Sequence, residues 1–178
     1  MISKPLKCLA VVAVFAVGIF AGTLIAAGGH LSHLSGPAIT AAMISQLPQM
    51  STEGYEEALV SVEDNLIQLH SGCRRLTMVT NELQTYSISS GINNQRATRP
   101  MTHDIIQDMM EMFGMDVIMV RVDRFSQGAY FARLVIRQGS RILDMDCRPS
   151  DAIAVAVRFN APVYVNSTLM DARGEIVC

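Results

Sequence analysis

The sequence predicts an α+β chain: a compact single domain with a mostly antiparallel β-sheet in meander order and a few helices, preceded by one transmembrane helix. Three observations carry this. Residues 8–29 hold no charged side chain. Residues 116–147 read as three strands rich in Val, Ile and Met, broken by turn residues at Ser126-Gln127-Gly128 and Gln138-Gly139-Ser140. Two stretches, starting at Arg99 and at Arg148, read Arg-Pro followed by a hydroxyl and an acid, each ahead of an apolar run suited to a helix.

The totals agree. A chain of 178 residues is enough for one domain plus an appendage. Half of it is hydrophobic and its mean hydropathy is +0.30, high for a soluble globular protein. A net charge of −2 excludes a basic nucleic-acid binder of the usual kind. With no Trp and few aromatics, no stacking platform for single strands is advertised. The cysteines are Cys8, Cys73, Cys147 and Cys178, with no CxxC pair. A zinc finger or redox motif is therefore unsupported. Three cysteines follow the apolar run, an odd number that argues against a complete disulfide framework.

In order, residues 1–7 carry Lys4 and Lys7 and no acid. The run over 8–29 spans roughly 30 Å as a helix, the thickness of a bilayer core. No Lys or Arg follows it until Arg74, so the positive-inside rule places the N-terminus in the cytoplasm and the rest outside. The competing reading is a cleavable signal, which would make the protein secreted, but its apolar region is usually shorter. Residues 30–53 read as a linker and 54–168 as the folded domain. Within it Glu57–Val62, Asn65–His70 and Leu76–Val79 are strand-like. Thr80–Ile88 suits a helix capped by Thr80 or Asn81. Residues 89–95 read as a polar loop. Thr102 is a candidate N-cap for a helix through Phe113, whose Ile105, Ile106, Met109, Met110 and Phe113 predict a core-facing stripe. The meander over 116–147 leads into a helix opened by Ser150. Ala161–Val165 reads as a short closing strand whose Pro162 suits a strand start or an edge. The tail, polar from Asn166 and set apart from the domain at 169–178, reads as loosely held.

Arg99-Pro-Met-Thr-His-Asp104, the strand Phe131-Ala-Arg-Leu-Val135 and Asp146-Cys-Arg-Pro-Ser-Asp-Ala-Ile153 together resemble the bifunctional nuclease domain family, over about residues 55–168. The resemblance implies a compact α+β domain that forms homodimers. For plant members it implies degradation of both RNA and DNA. The N-terminal apolar segment and the Asn- and Gln-rich stretch at 89–95 depart from the family pattern.

Phosphodiester hydrolysis needs an activated water, stabilisation of charge on phosphorus and a proton for the leaving oxygen. His103, Asp104 and Asp151 are the candidate catalytic groups, since imidazole and carboxylate handle protons near neutrality. Arg99, Arg148 and Ser150 are candidate substrate-binding groups, the arginines because guanidinium pairs bidentately with phosphate. Asp144 and Asp146, alternating on one strand face, are candidate oxygen ligands for Mg²⁺ or Mn²⁺. Each also has a structural reading: first-turn acids suit helix N-termini, and Arg148 could bridge to Asp104 or Asp146 and tie two helix starts together. The nuclease expectation would make the domain a membrane-tethered hydrolase. The alternative is a non-catalytic ligand- or protein-binding module on the same bilayer anchor, which the low basic content favours. A shared centre requires His103 and Asp151 to meet in space.

Overall fold

A computed structural model describes residues 48–178. The apolar run 8–29 and most of the linker lie outside the described residues. Among the described residues no helix is long and apolar enough to cross a membrane.

After a 3-10 turn at Pro48–Met50 the chain builds β1 (Tyr55–Glu63), β2 (Leu66–Ser71) and β3 (Arg74–Val79), then α1 (Glu82–Ile92) and α2 (Thr102–Met112). It continues as β4 (Met115–Ser126), β5 (Ala129–Gln138), β6 (Arg141–Cys147), α3 (Pro149–Arg158), β7 (Val163–Asn166), α4 (Ser167–Arg173) and β8 (Glu175–Ile176). The strands form one eight-stranded sheet in the order β6-β5-β4-β7-β1-β2-β3-β8. All pairings are antiparallel except β4 with β7. The α+β class and the mostly antiparallel sheet follow the sequence expectation, and the predicted strands are present.

The main core lies on the helix-covered face of the sheet. Strand alternation sends Val120, Val122, Leu134 and Ile136 to that face, against Ala152, Ile153 and Ala156 of α3. The intervening residues Met119 and Val135 form a smaller cluster with Met50 on the opposite face.

Several sequence expectations fail against this fold, each for a physical reason. The stretch 89–95 is not a loop throughout: α1 continues to Ile92, capped at its start by the Asn81 side chain, which accepts the Gln84 N–H. Its polar residues are small because α3 packs close by. A Cβ on Gly91 would stand 2.6 Å from Val157 Cγ2. The N-caps also move. Met101, not Thr102, caps α2, and Arg148, not Ser150, caps α3, with Pro149 at the first helical position. In α2 the Asp104 carboxylate at N3 reaches back and accepts the Met101 N–H at 2.8 Å, the acidic half of a capping box, while Met101 has no hydroxyl to offer in return.

β7 is not an edge or closing strand. It lies between β4 and β1 and joins the two halves of the sheet. Pro162 sits just before it, and the Pro162 carbonyl accepts the Val120 N–H at 3.0 Å. Nor is the tail loose. α4 buries Leu169 and Met170, β8 pairs with β3, and Cys73 is disulfide-bonded to Cys178. Thus two of the three cysteines after the apolar run are bridged, and Cys147 is free. Finally, the stripe of α2 expected to be core is only partly so. Met110 is buried, but Ile105, Met109 and Phe113 are half exposed. On β6 Leu143 is exposed, whereas Asp144 is largely covered and Asp146 is not.

Candidate active site

Three elements converge where α2 and α3 begin. Each helix opens with a short acid or imidazole held by local geometry, and α1 crosses behind them. The first turn of α2 supplies His103 and Asp104, the first turn of α3 supplies Asp151, and α1 supplies Ser87. His103 Nε2 lies 3.7 Å from Asp151 Oδ1. On the other side of the ring, His103 Nδ1 is hydrogen-bonded to Ser87 Oγ at 2.9 Å.

Asp151 is in turn gripped by Arg148 of its own turn. Arg148 Nε and Nη2 donate to its two oxygens at 2.7 and 3.1 Å. Arg148 is mostly exposed, and this bond to Asp151 raises its pKa further. Behind the histidine lies a buried pair that the sequence did not reveal. Arg158, at the end of α3, donates from Nε to Asp104 Oδ1 at 2.9 Å, with both side chains at most 3 % exposed. The same guanidinium donates to the Ser87 and Ala154 carbonyls and to Ser87 Oγ. Asp104, read as catalytic, therefore stands behind His103 and is engaged by Arg158. The buried cation ties the start of α2 to the end of α3, whereas the sequence had offered Arg148 as a bridge between the two helix starts.

The electrostatics follow from these contacts. Burial and the Arg158 guanidinium hold the His103 imidazole below the ordinary histidine range, against the opposing pull of Asp151 and Asp104. Burial alone would raise the Asp104 carboxyl, but the Met101 N–H and Arg158 outweigh it and hold it low. The imidazole is thus neutral at pH 7 and Asp104 is ionised.

This polar cluster opens onto a groove of about 1030 Å³ between α2, α1 and the β5–β6 hairpin. His103, Arg148 and Asp151 line it, whereas most of its wall is apolar, including Ile105, Met110, Leu143 and Met145. Gln84, one helical turn before Ser87, also lines it. Its Oε1 is buried without a hydrogen-bond partner among the described residues, so it could accept from a ligand donor. Cys147 is on the wall too, but burial, with Asp146 and Asp151 adding, pushes its thiol up to about 11. It is therefore protonated and no nucleophile at neutral pH.

The other predicted site residues lie elsewhere. Ser150 is buried and lines a separate pocket beside Phe125 and Tyr130. Arg99 is exposed in the segment before α2. Asp144 is taken by two cations: Arg133 Nε donates to it at 2.6 Å and Arg121 Nη2 at 3.2 Å. Asp146 is exposed on β6, opposite Arg133. Among the described residues no three His, Cys, Asp or Glu side chains gather as a metal-binding group. Asp144 held by two arginines is a poor ligand for Mg²⁺ or Mn²⁺, so the donor set does not fit such an ion.

The bifunctional nuclease domain model matches residues 66–177, from β2 through the structured tail. Bifunctional nuclease 1 of Arabidopsis thaliana is 31% identical over 102 residues, which cover 56% of this chain and 31% of that protein. Bifunctional nuclease 2 of the same plant is 32% identical over the same shares of the two chains. An uncharacterized protein of Mycobacterium tuberculosis is 27% identical over 112 residues, 63% of this chain and 66% of that one. The chain thus spans about a third of the length of the plant relatives it matches and two thirds of the mycobacterial one.

Proposed function

The chain belongs to the bifunctional nuclease domain family, and from that premise we propose that it hydrolyses phosphodiester bonds of RNA, DNA or both in the groove beside His103. The observation that supports this most is the meeting of His103 and Asp151 at a groove rimmed by the exposed Arg148. Arg148 would keep Nε and Nη2 on Asp151 and offer the phosphate its Nη1 donors, offsetting charge on phosphorus. Asp151 and the neutral His103 would handle the protons of the attacking water and the leaving oxygen. Arg99, on the segment leading to α2, would add charge for a longer strand. Asp104 would act through Arg158, by fixing the start of α2. No step needs a divalent ion held by Asp144 and Asp146.

The same reading places the domain outside the cytoplasm, on an anchor formed by residues 8–29. The Cys73–Cys178 bridge supports this, since such bonds persist in oxidising compartments. The half-exposed apolar side chains of α2, Ile105, Met109 and Phe113, would suit a homodimer contact.

The second reading is a tethered module that binds a ligand or protein without chemistry. The mostly apolar wall of the groove favours it. Purified full-length chain incubated with single-stranded RNA and DNA separates the two. Cleavage lost in His103→Ala and in Asp151→Ala supports the nuclease. Cleavage unchanged in both ends the assignment of those two residues, and no cleavage from the unaltered chain leaves the binding module.

A further inference from the structure

We infer that Ser87 and Arg158 are positioning residues that hold His103 as its Nε2–H tautomer, so that the imidazole donates toward Asp151 and Asp151 is the proton acceptor of the groove. The first half stands on hydrogen-bond geometry alone. The second rests on the hydrolytic reading above.

The argument is a count of hydrogens. Ser87 Oγ has two neighbours, Arg158 Nη2 at 3.3 Å and His103 Nδ1 at 2.9 Å. A guanidinium can only donate. Ser87 Oγ therefore accepts from Arg158, and its own hydrogen must find another acceptor. The side chain is buried, and the one acceptor in reach is Nδ1. If Nδ1 carried the proton instead, the hydroxyl hydrogen would be stranded in a dry interior, which disfavours that tautomer about tenfold or more. The far side of the ring agrees independently. Nε2 faces a carboxylate oxygen at 3.7 Å, where an N–H is attracted and a bare lone pair is repelled. Arg158 is kept from turning away, because Asp104 and the Ser87 and Ala154 carbonyls hold three of its other four N–H donors.

With Nδ1 occupied and Nε2 protonated, the imidazole has no free lone pair toward the groove. The group left to take a proton there is Asp151. A water oxygen would attack phosphorus while its proton passes to the Asp151 carboxylate. The scissile P–O bond breaks, and the leaving oxygen recovers a proton that Asp151 returns through solvent. His103 steadies the carboxylate from behind, and Arg148 holds it from the other side.

The test is long-range ¹H–¹⁵N NMR of the uniformly labelled full-length chain in detergent at neutral pH, with the His103 signals identified by their loss in His103→Gln. The expected pattern is a protonated Nε2 and an unprotonated Nδ1. The reverse pattern overturns the inference, and it is read on the unaltered chain, so a variant that fails to fold cannot obscure it. Ser87→Ala should bring in the Nδ1–H form, and Ser87→Thr should restore the original ratio. A ratio unmoved in Ser87→Ala removes Ser87 from the positioning role. For Asp151, the readout is cleavage by His103→Gln against His103→Phe. Gln keeps a side-chain N–H, so it should retain about tenfold more activity than Phe. Equal loss in both would return the proton-accepting role to His103. If the unaltered chain cleaves nothing, the hydrolytic reading and the Asp151 role fall together, while the tautomer still decides the positioning claim.

Discussion

His103 Nε2 and Asp151 Oδ1 lie 3.7 Å apart, each delivered by the first turn of a different helix. Neither is the cap of its helix, so both side chains are free of backbone capping and turn toward one groove. Removing either should cost cleavage about 100-fold or more, the usual worth of a positioned proton acceptor, because Asp151 takes the proton and His103 orients its carboxylate. Initial rates on single-stranded RNA and DNA, with circular dichroism to confirm folding, check this. A loss under tenfold in both variants would contradict the assignment.

The Arg158–Asp104 pair is worth most as a unit. Arg158→Met should destabilise the domain by about 3–5 kcal/mol, because it strands a carboxylate at 2 % exposure. Asp104→Asn should cost less, since the amide oxygen can still accept from the guanidinium. Urea unfolding of both variants gives the comparison, and equal small losses would show that the pair is not the tie between α2 and α3.

Stability should fall on mild acidification. The folded-state pKa of His103 is lowered, so between that value and the ordinary 6.5 the unfolded chain binds the extra proton. Stability from this group is complete above 6.5 and is lost as pH drops through that window. Asp104, also lowered, acts at the far acid end: its contribution is present above 3.8 and lost as pH falls through its folded-state value. Urea midpoints measured between about pH 5 and about pH 8 should slope upward, and His103→Gln should flatten the slope. An unchanged slope in that variant would place the titration elsewhere.

Gly91→Ala should destabilise despite the better helix propensity of alanine. Its Cβ would meet Val157 Cγ2 at 2.6 Å and Arg158 Nη1 at 3.0 Å. Separating α1 from α3 should cost about 1–3 kcal/mol and disturb the Ser87–His103 bond as well. A thermal melt that rises would show that the helices yield without cost.

Breaking Cys73–Cys178 should lower stability by about 2–4 kcal/mol, since the bond closes a loop over a sequence separation of 105. The doubly substituted Cys73→Ser, Cys178→Ser chain should melt lower than the oxidised parent and match the parent in reductant. A parent melt insensitive to reductant would mean the bond adds little to the fold.

The sheet was legible where the signal is local. Strand alternation and Gly-containing turns located β4, β5 and β6, and the Arg-Pro openings located α2 and α3. The rest depended on partners far along the chain. Ser89, Ser90 and Gly91 read as a loop because smallness, not apolarity, is what a close helix crossing demands. β7 read as a closing strand because one strand carries no mark of having two neighbours, although Pro162 did mark its start. The tail read as loose because its anchor, Cys73, lies in the β2–β3 turn. Arg158 escaped notice because a cation at a helix C-terminus is ordinary, and only its burial against Asp104 distinguishes it. Asp144 read as a ligand because its arginines sit on other strands. His103 and Asp151 were legible as a pair of helix-opening residues, but their meeting required long-range packing that sets α2 beside α3.

The central place of β7 governs how synthesis can end in a folded product. The emerging chain makes β1 to β3 early and β4 to β6 later, yet the strand that bridges them comes after α3. Until residue 166 has left the ribosome, β1 and β4 each present an unpaired, aggregation-prone margin. A chain stopped short of that point holds two half-sheets with nothing between them. Shielding of the nascent polypeptide is therefore needed until β7 has emerged.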